Sequence, residues 1–202
     1  MSIFPLILID THTTGIPVIS KGKAEYPQLL ELSAICYEPG KIPDMMNSFQ
    51  VFIKNDKVKW LNKGAQKMNQ WLADEIESGI VASCSPEEAS QQFNEWLAKI
   101  KFVHDFSEDH KLIAAGRKVD SFDLPILSYN GFNLENLEFK GFDVTSLFYR
   151  EDLNWLPTVE NLFRASGGKR RVGTYAMDSN LKVAHIFSKV NILRAIEDEE
   201  SA

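Results

Sequence analysis

The stretch LILIDTHTTG, Leu6 to Gly15, is an apolar run that ends abruptly in an acid, then a histidine, two threonines and a glycine. An aspartate closing a buried strand commonly holds a ligand, often a metal ion, so Asp10 is a candidate site residue. His12 has two open roles: a metal ligand, or an imidazole bonded to a neighbouring acid such as Asp123. Asp123 opens the helix-like SFDLPILSYNGF, where an acid either serves a site or simply favours the first turn. Two carboxylates and one imidazole can hold one metal ion. The nitrogen shifts preference from magnesium toward manganese, zinc or nickel. A second group, His104, Asp105, Glu108, Asp109 and His110, is metal-like by composition, but its place before a strand reads as a solvated turn. Two basic runs, Lys54 to Lys67 and Lys169 to Arg171, could touch a phosphate backbone, although a solvated charged face accounts for each alone.

These groups need a scaffold, and 202 residues with 44% hydrophobic content suffice for one domain with a real core. Apolar, β-compatible runs at 3–9, 29–37 and 48–53, with a turn at Glu38-Pro39-Gly40, predict an antiparallel meander. Helical spacing follows at Ala65, Met68, Leu72 and Ile76. Ser85-Pro86-Glu87-Glu88 places an N-cap serine before proline and two acids, opening a second helix. KLIAAG (111–116) predicts a fourth strand, SFDLPILSYNGF a helix, FKGFDVTSLF a fifth strand and TVENLFRASG a helix closed by glycine. A long final helix starts at TYAMDSN, with Thr174 as its N-cap, and the acidic tail is expected to fray. Residues 1–190 thus read as a single α/β domain, with 191–202 as the end of the last helix and the tail.

The net charge of −6 argues against bulk, sequence-blind nucleic-acid binding. It leaves room for a protein that grips a few nucleotides beside divalent cations. No apolar run approaches a membrane span. MSIFPLILID lacks the basic region and cleavage site of a signal peptide and reads as a first strand. Cys36 and Cys84, without zinc spacing, suggest a reducing cytoplasm.

Three motifs give the chain a resemblance to the DEDD (DnaQ-like) 3′–5′ exonucleases of the ribonuclease H-like superfamily. The family's D-x-E-T-x-G reads here as Asp10-Thr11-His12-Thr13-Thr14-Gly15. Its F-D pair is Phe122-Asp123. Its H-x-A-x-x-D aligns with Thr174-Tyr175-Ala176-Met177-Asp178-Ser179. The resemblance covers about residues 3–190 in the right order. It implies a mixed sheet, three antiparallel strands followed by parallel ones, flanked by helices.

It also implies a two-metal site, in which two divalent ions roughly 4 Å apart activate water and stabilise the leaving oxygen of a phosphodiester. Catalytic roles carry over to Asp10, His12 and Asp123, and metal ligation to the same three residues, with Asp178 as a substitute acid one residue from its place. His12 stands where the family has glutamate, Thr174 where it has the general-base histidine, and Ser179 where it has the last aspartate. Thr13, Thr14, Met68, Asn69 and Phe122 fall where the terminal nucleotide would lie. Two functions follow. One is an exonuclease-fold protein that has lost two-metal hydrolysis and acts by binding single-stranded 3′ ends or a protein partner. The other is a working exonuclease with a rearranged site. The expected cofactor is magnesium or manganese if the protein is active, and otherwise one ion or none. A homodimer is compatible with the family.

Overall fold

The computed structural model describes residues 5–20, 23–39, 41, 47–148, 158–169 and 175–200. Strand β1 (Leu6–Thr13) lies between β4 (Leu29–Tyr37), antiparallel, and β7 (Leu112–Gly116), parallel. Beyond β4 run β5 (Ser48–Ile53), antiparallel, and the short β6 (Ser83–Cys84), parallel to β5. Beyond β7 runs β8 (Leu137–Asp143), also parallel. The sheet order is therefore β6-β5-β4-β1-β7-β8. β2 (Val18–Ser20) and β3 (Lys23–Glu25) form a separate hairpin that was not foreseen.

The expected mixed sheet is present, with β1 extending past the apolar run to Thr13. Every position of β4 is buried, because apolar layers cover both faces of the sheet. On one face, Ile7, Ile9, Ala34, Phe93, Leu97 and Leu127 join a core built with α2 (Pro86–Val103) and α3 (Leu124–Tyr129). On the other, Leu8, Ile35 and Tyr37 pack with α4 (Val159–Ala165) and α5 (Ala176–Glu200). A third cluster seats α1 (Lys63–Glu77) through Leu72, Ala73 and Ile76 on Leu30. Ser85 caps α2 in a reciprocal box with Glu88, as the Ser-Pro-Glu-Glu spacing predicts. Gly167, at a φ of 81°, closes α4.

Three expectations shift. SFDLPILSYNGF does not open as one α-helix: a single π turn over Val119–Asp123 precedes α3. FKGFDVTSLF is strand only to Asp143, then a short 3-10 turn over Val144–Phe148. The acidic stretch expected to fray is helical to Glu200. Thr174, the expected N-cap, lies outside the described residues, as do Arg170 and Arg171.

Gly116 ends β7 against β1, where a Cβ would come within 2.6 Å of the Ile9 carbonyl oxygen. The contact is backbone and cannot rotate away, so the glycine lets β7 reach the site at full pairing. Gly116→Ala should cost about 2 kcal/mol by overpacking. A melting curve should show Tm falling by about 4–8 °C, and an unchanged Tm would refute the close approach.

Candidate functional site

The C-terminal end of β1 supplies the floor of the site. In the β1–β4 register Asp10 stands opposite Ser33, and His12 opposite Glu31. Glu31 is fully buried, the one acid inside the apolar strand LLELSAICY. Its carboxylate is held from three elements. His12 Nδ1 lies 2.9 Å from Glu31 Oε2. Gln50 on β5 donates to Oε1 at 2.7 Å. The Ala176 backbone N–H, opening α5, faces both oxygens at 3.1 Å. The imidazole N–H approaches off the line of a hydrogen bond, so the His12 contact is carried by charge. The expectation that Asp123 would be the acid bonded to His12 is thus corrected: cross-strand register brings Glu31 instead.

One turn further along α5, Asn180 donates from Nδ2 to the Ser33 carbonyl at 3.0 Å and to its hydroxyl at 2.8 Å. The spacing has a simple cause. Four helical residues rise about 6 Å and two strand residues about 6.6 Å, so 176/180 on the helix match 31/33 on the strand. This clamp brings the Ser179 hydroxyl close enough to Asp10 to favour its charged form. Asp123 arrives from the π turn. Lys118 starts that turn in a left-handed conformation, and its carbonyl accepts the Ser121 and Phe122 N–H groups. The Thr11 hydroxyl donates to Asp123 Oδ1 at 2.6 Å.

Electrostatics follow from this crowding. Burial, then the charge of Asp123, pushes Asp10 well above the usual carboxylate range, while His12 and the Ser179 hydroxyl oppose the shift. Burial pushes Asp123 up to about 7, against the Thr11 hydroxyl and backbone hydrogen bonds. Burial disfavours a charged His12, but Glu31, with help from Asp10, outweighs it and raises the imidazole. Among the described residues no three His, Cys, Asp or Glu side chains are grouped so as to hold a metal ion.

Above this floor opens a cleft of about 290 Å³ between β1, the end of β7, α4 and α5. His12, Ser179 and Asp178 line it, so the histidine and the last-helix residues are brought together. Arg117, Thr158, Val159, Glu160, Tyr175 and Lys182 complete the lining. Tyr175 donates to Glu75 on α1 at 2.9 Å and meets the Trp71 ring edge-on.

The nucleotide-pocket residues divide. Met68 on α1 is 71% exposed. Asn69 is buried and its amide is committed to the Thr13 carbonyl at 2.9 Å. The Thr13 hydroxyl donates to the Gly15 carbonyl, and the buried Thr14 hydroxyl accepts the Gln28 N–H. Phe122 packs against the main core. These side chains shape the motif loop, and Met68 is the one that faces solvent.

Within the metal-like loop, Phe106 stacks with His104 and His110 at 5.9 and 4.2 Å between ring centroids. Sequence reasoning passed over Glu31 and Arg117. A lone acid inside a wholly apolar strand was the available signal for Glu31. Arg117 carried none.

No family model matches the sequence, and no curated protein matches it. Solved structures do. Cell-death related nuclease 4 is similar with a TM-score of 0.61 at 15% identity, over 94% of this chain and 65% of that one. The nuclease domain of 3′hExo, a DEDDh family member bound to rAMP, is similar with a TM-score of 0.56 at 10% identity, over 93% and 92%. E. coli exonuclease I in complex with a dT13 oligonucleotide reaches 0.63 at 11% identity, over 96% of this chain but 43% of its own length. At these identities the likeness concerns architecture: the chain has the ribonuclease H-like fold of the DEDDh, DnaQ-like 3′–5′ exonucleases.

Proposed function

We propose that this chain binds single-stranded nucleic-acid 3′ ends on an exonuclease fold whose two-metal hydrolysis is lost or weak, and that it acts through this binding or through a protein partner. The observation that carries the reading is the Glu31 arrangement. The family's glutamate position holds His12, and the nearest buried acid is spent on His12, Gln50 and the start of α5. Magnesium demands oxygen ligands in near-ideal geometry. A histidine tied to a buried acid and a serine hydroxyl do not fit a pair of such ions. Loss of parts that act as a unit removes most of the rate. The solved structures with rAMP and with an oligonucleotide support nucleotide ends as the ligand class. Cys36 and Cys84 are both free thiols, which agrees with a cytoplasmic setting. Among the described residues no helix is long and apolar enough to cross a membrane.

One observation favours the second reading, an active enzyme with a rearranged site. Asp123 and Glu31 both act electrostatically on Asp10, so negative charge is retained around the strand end. Magnesium or manganese would then rest on Asp10 and Asp123, with His12 or Asp178 as a further ligand.

Labelled single-stranded DNA and RNA, incubated with the protein and magnesium, manganese or zinc in turn, should be bound but not shortened. Progressive 3′ shortening that disappears in Asp10→Ala would overturn the proposal.

Restoration of the family residues is a second test, and Glu31 changes its design. His12→Glu alone sets a second carboxylate beside a buried one, at a cost of about 3 kcal/mol, which is a fall in Tm of about 6–12 °C. Adding Glu31→Gln should recover most of that loss in a double-mutant cycle. Additive losses would mean that the two side chains do not interact. On that double background, Thr174→His with Ser179→Asp is expected to produce magnesium-dependent shortening.

A further inference from the structure

We propose that the cleft takes a phosphate group directly, without a bridging metal ion, with the Arg117 guanidinium as principal ligand and the Ser179 hydroxyl and Lys182 ammonium in support. The inference rests on the reading of nucleic-acid ends as ligand and names the contact that would hold them.

Arg117 carries the argument. It leaves β7 directly after Gly116, whose close approach to Ile9 brings the strand end up to β1. Lys118 then turns left-handed, and its N–H is held by Asp143 at 3.1 Å. The backbone on both sides is thereby placed, and the Arg117 side chain is exposed along the cleft. Among the described residues it has no carboxylate partner. An unpaired guanidinium in a concave site offers a planar fork of donors that matches phosphate oxygens.

The opposite wall agrees. Lys182 donates to Glu160 Oε2 at 2.9 Å, while Arg164 donates to Oε1 of the same side chain at 3.0 Å. One carboxylate thus serves two cations, and Lys182 can turn to a phosphate while Glu160 keeps Arg164. At the two positions where the family places acids, this cleft presents His12 and Ser179, neither of which repels an anion as a carboxylate would. Asp178 and Glu160 are the opposing charges on the lining. On the lining, Arg117 and Lys182 are matched in number by Glu160 and Asp178, and Arg164, outside the cleft, takes up one Glu160 oxygen. The volume of about 290 Å³ is at the small end of ligand sites, which suits one phosphate with its sugar and not a whole strand.

The test measures binding of a short 5′-labelled oligothymidylate by fluorescence anisotropy in EDTA, beside Tm shifts produced by inorganic phosphate at constant ionic strength. The oligonucleotide should bind equally well with EDTA and with magnesium. Arg117→Ala, at an exposed position, should keep the wild-type Tm and weaken binding about 10–100-fold. Ser179→Asp should weaken metal-free binding, and Asp178→Asn should tighten it. Inorganic phosphate should raise the Tm of the wild type and leave Arg117→Ala unmoved. Binding that vanishes in EDTA, or that Arg117→Ala leaves intact, overturns the phosphate site while nucleic-acid binding stands. A phosphate shift that needs Arg117, with no oligonucleotide bound under any condition, supports the site and removes nucleic acid as its ligand. No response to either probe overturns both.

Discussion

A carboxylate buried in a sheet must be fully paired, and Glu31 meets this demand by drawing four elements together. Moving such a group out of water costs several kcal/mol even after relaxation. Here the Gln50 amide on β5 and the first N–H of α5 donate to it, and the His12 imidazole on β1 lies within ion-pair distance. Each hydrogen bond to a charged group contributes about 1.5–3 kcal/mol. The arrangement is stable only if β1, β4, β5 and α5 keep one relative placement. The register of the last helix over the sheet is therefore an electrostatic requirement as well as a packing one.

That placement decides what lies over the catalytic strand of the fold. With Ala176 on Glu31 and Asn180 on Ser33, residue 179 is brought to Asp10. The His12 imidazole sits on β1, and the Glu31 carboxylate on the neighbouring strand faces inward. A metal pair needs acids that face the solvent cleft. This arrangement turns one of them into a helix anchor, and leaves Asp10 and Asp123 crowded and raised in pKa.

The cleft above inherits the consequence. Its lining holds Arg117 and Lys182 close to a histidine and a serine. In a two-metal enzyme the ions provide positive charge to the phosphate, and protein acids neutralise the ions. On the proposed reading, Arg117 and Lys182 take over that task and meet a phosphate directly.

Much of the fold was legible in the sequence because its signals are local. Apolar runs marked β1, β4, β5 and β7. Ser85-Pro86 with Glu88 marked a helix start, and the three spaced motifs pointed to the exonuclease order of elements. Asp10 and Asp123 stood out in the sequence because each sits at the end of a local pattern. The π turn was not legible, since its i-to-i+5 bonding depends on Lys118 turning left-handed and on the close packing of Gly141 against Val119. The partner of His12 was not legible either. Glu31 is 19 residues away and meets it only through strand register, a property of the assembled sheet. Residue types and spacing by themselves determined the fold class and marked His12 as the odd residue at the end of the first strand. Tertiary structure alone decided what His12 does, because a buried charge takes its role from whichever partner the folded chain brings within reach.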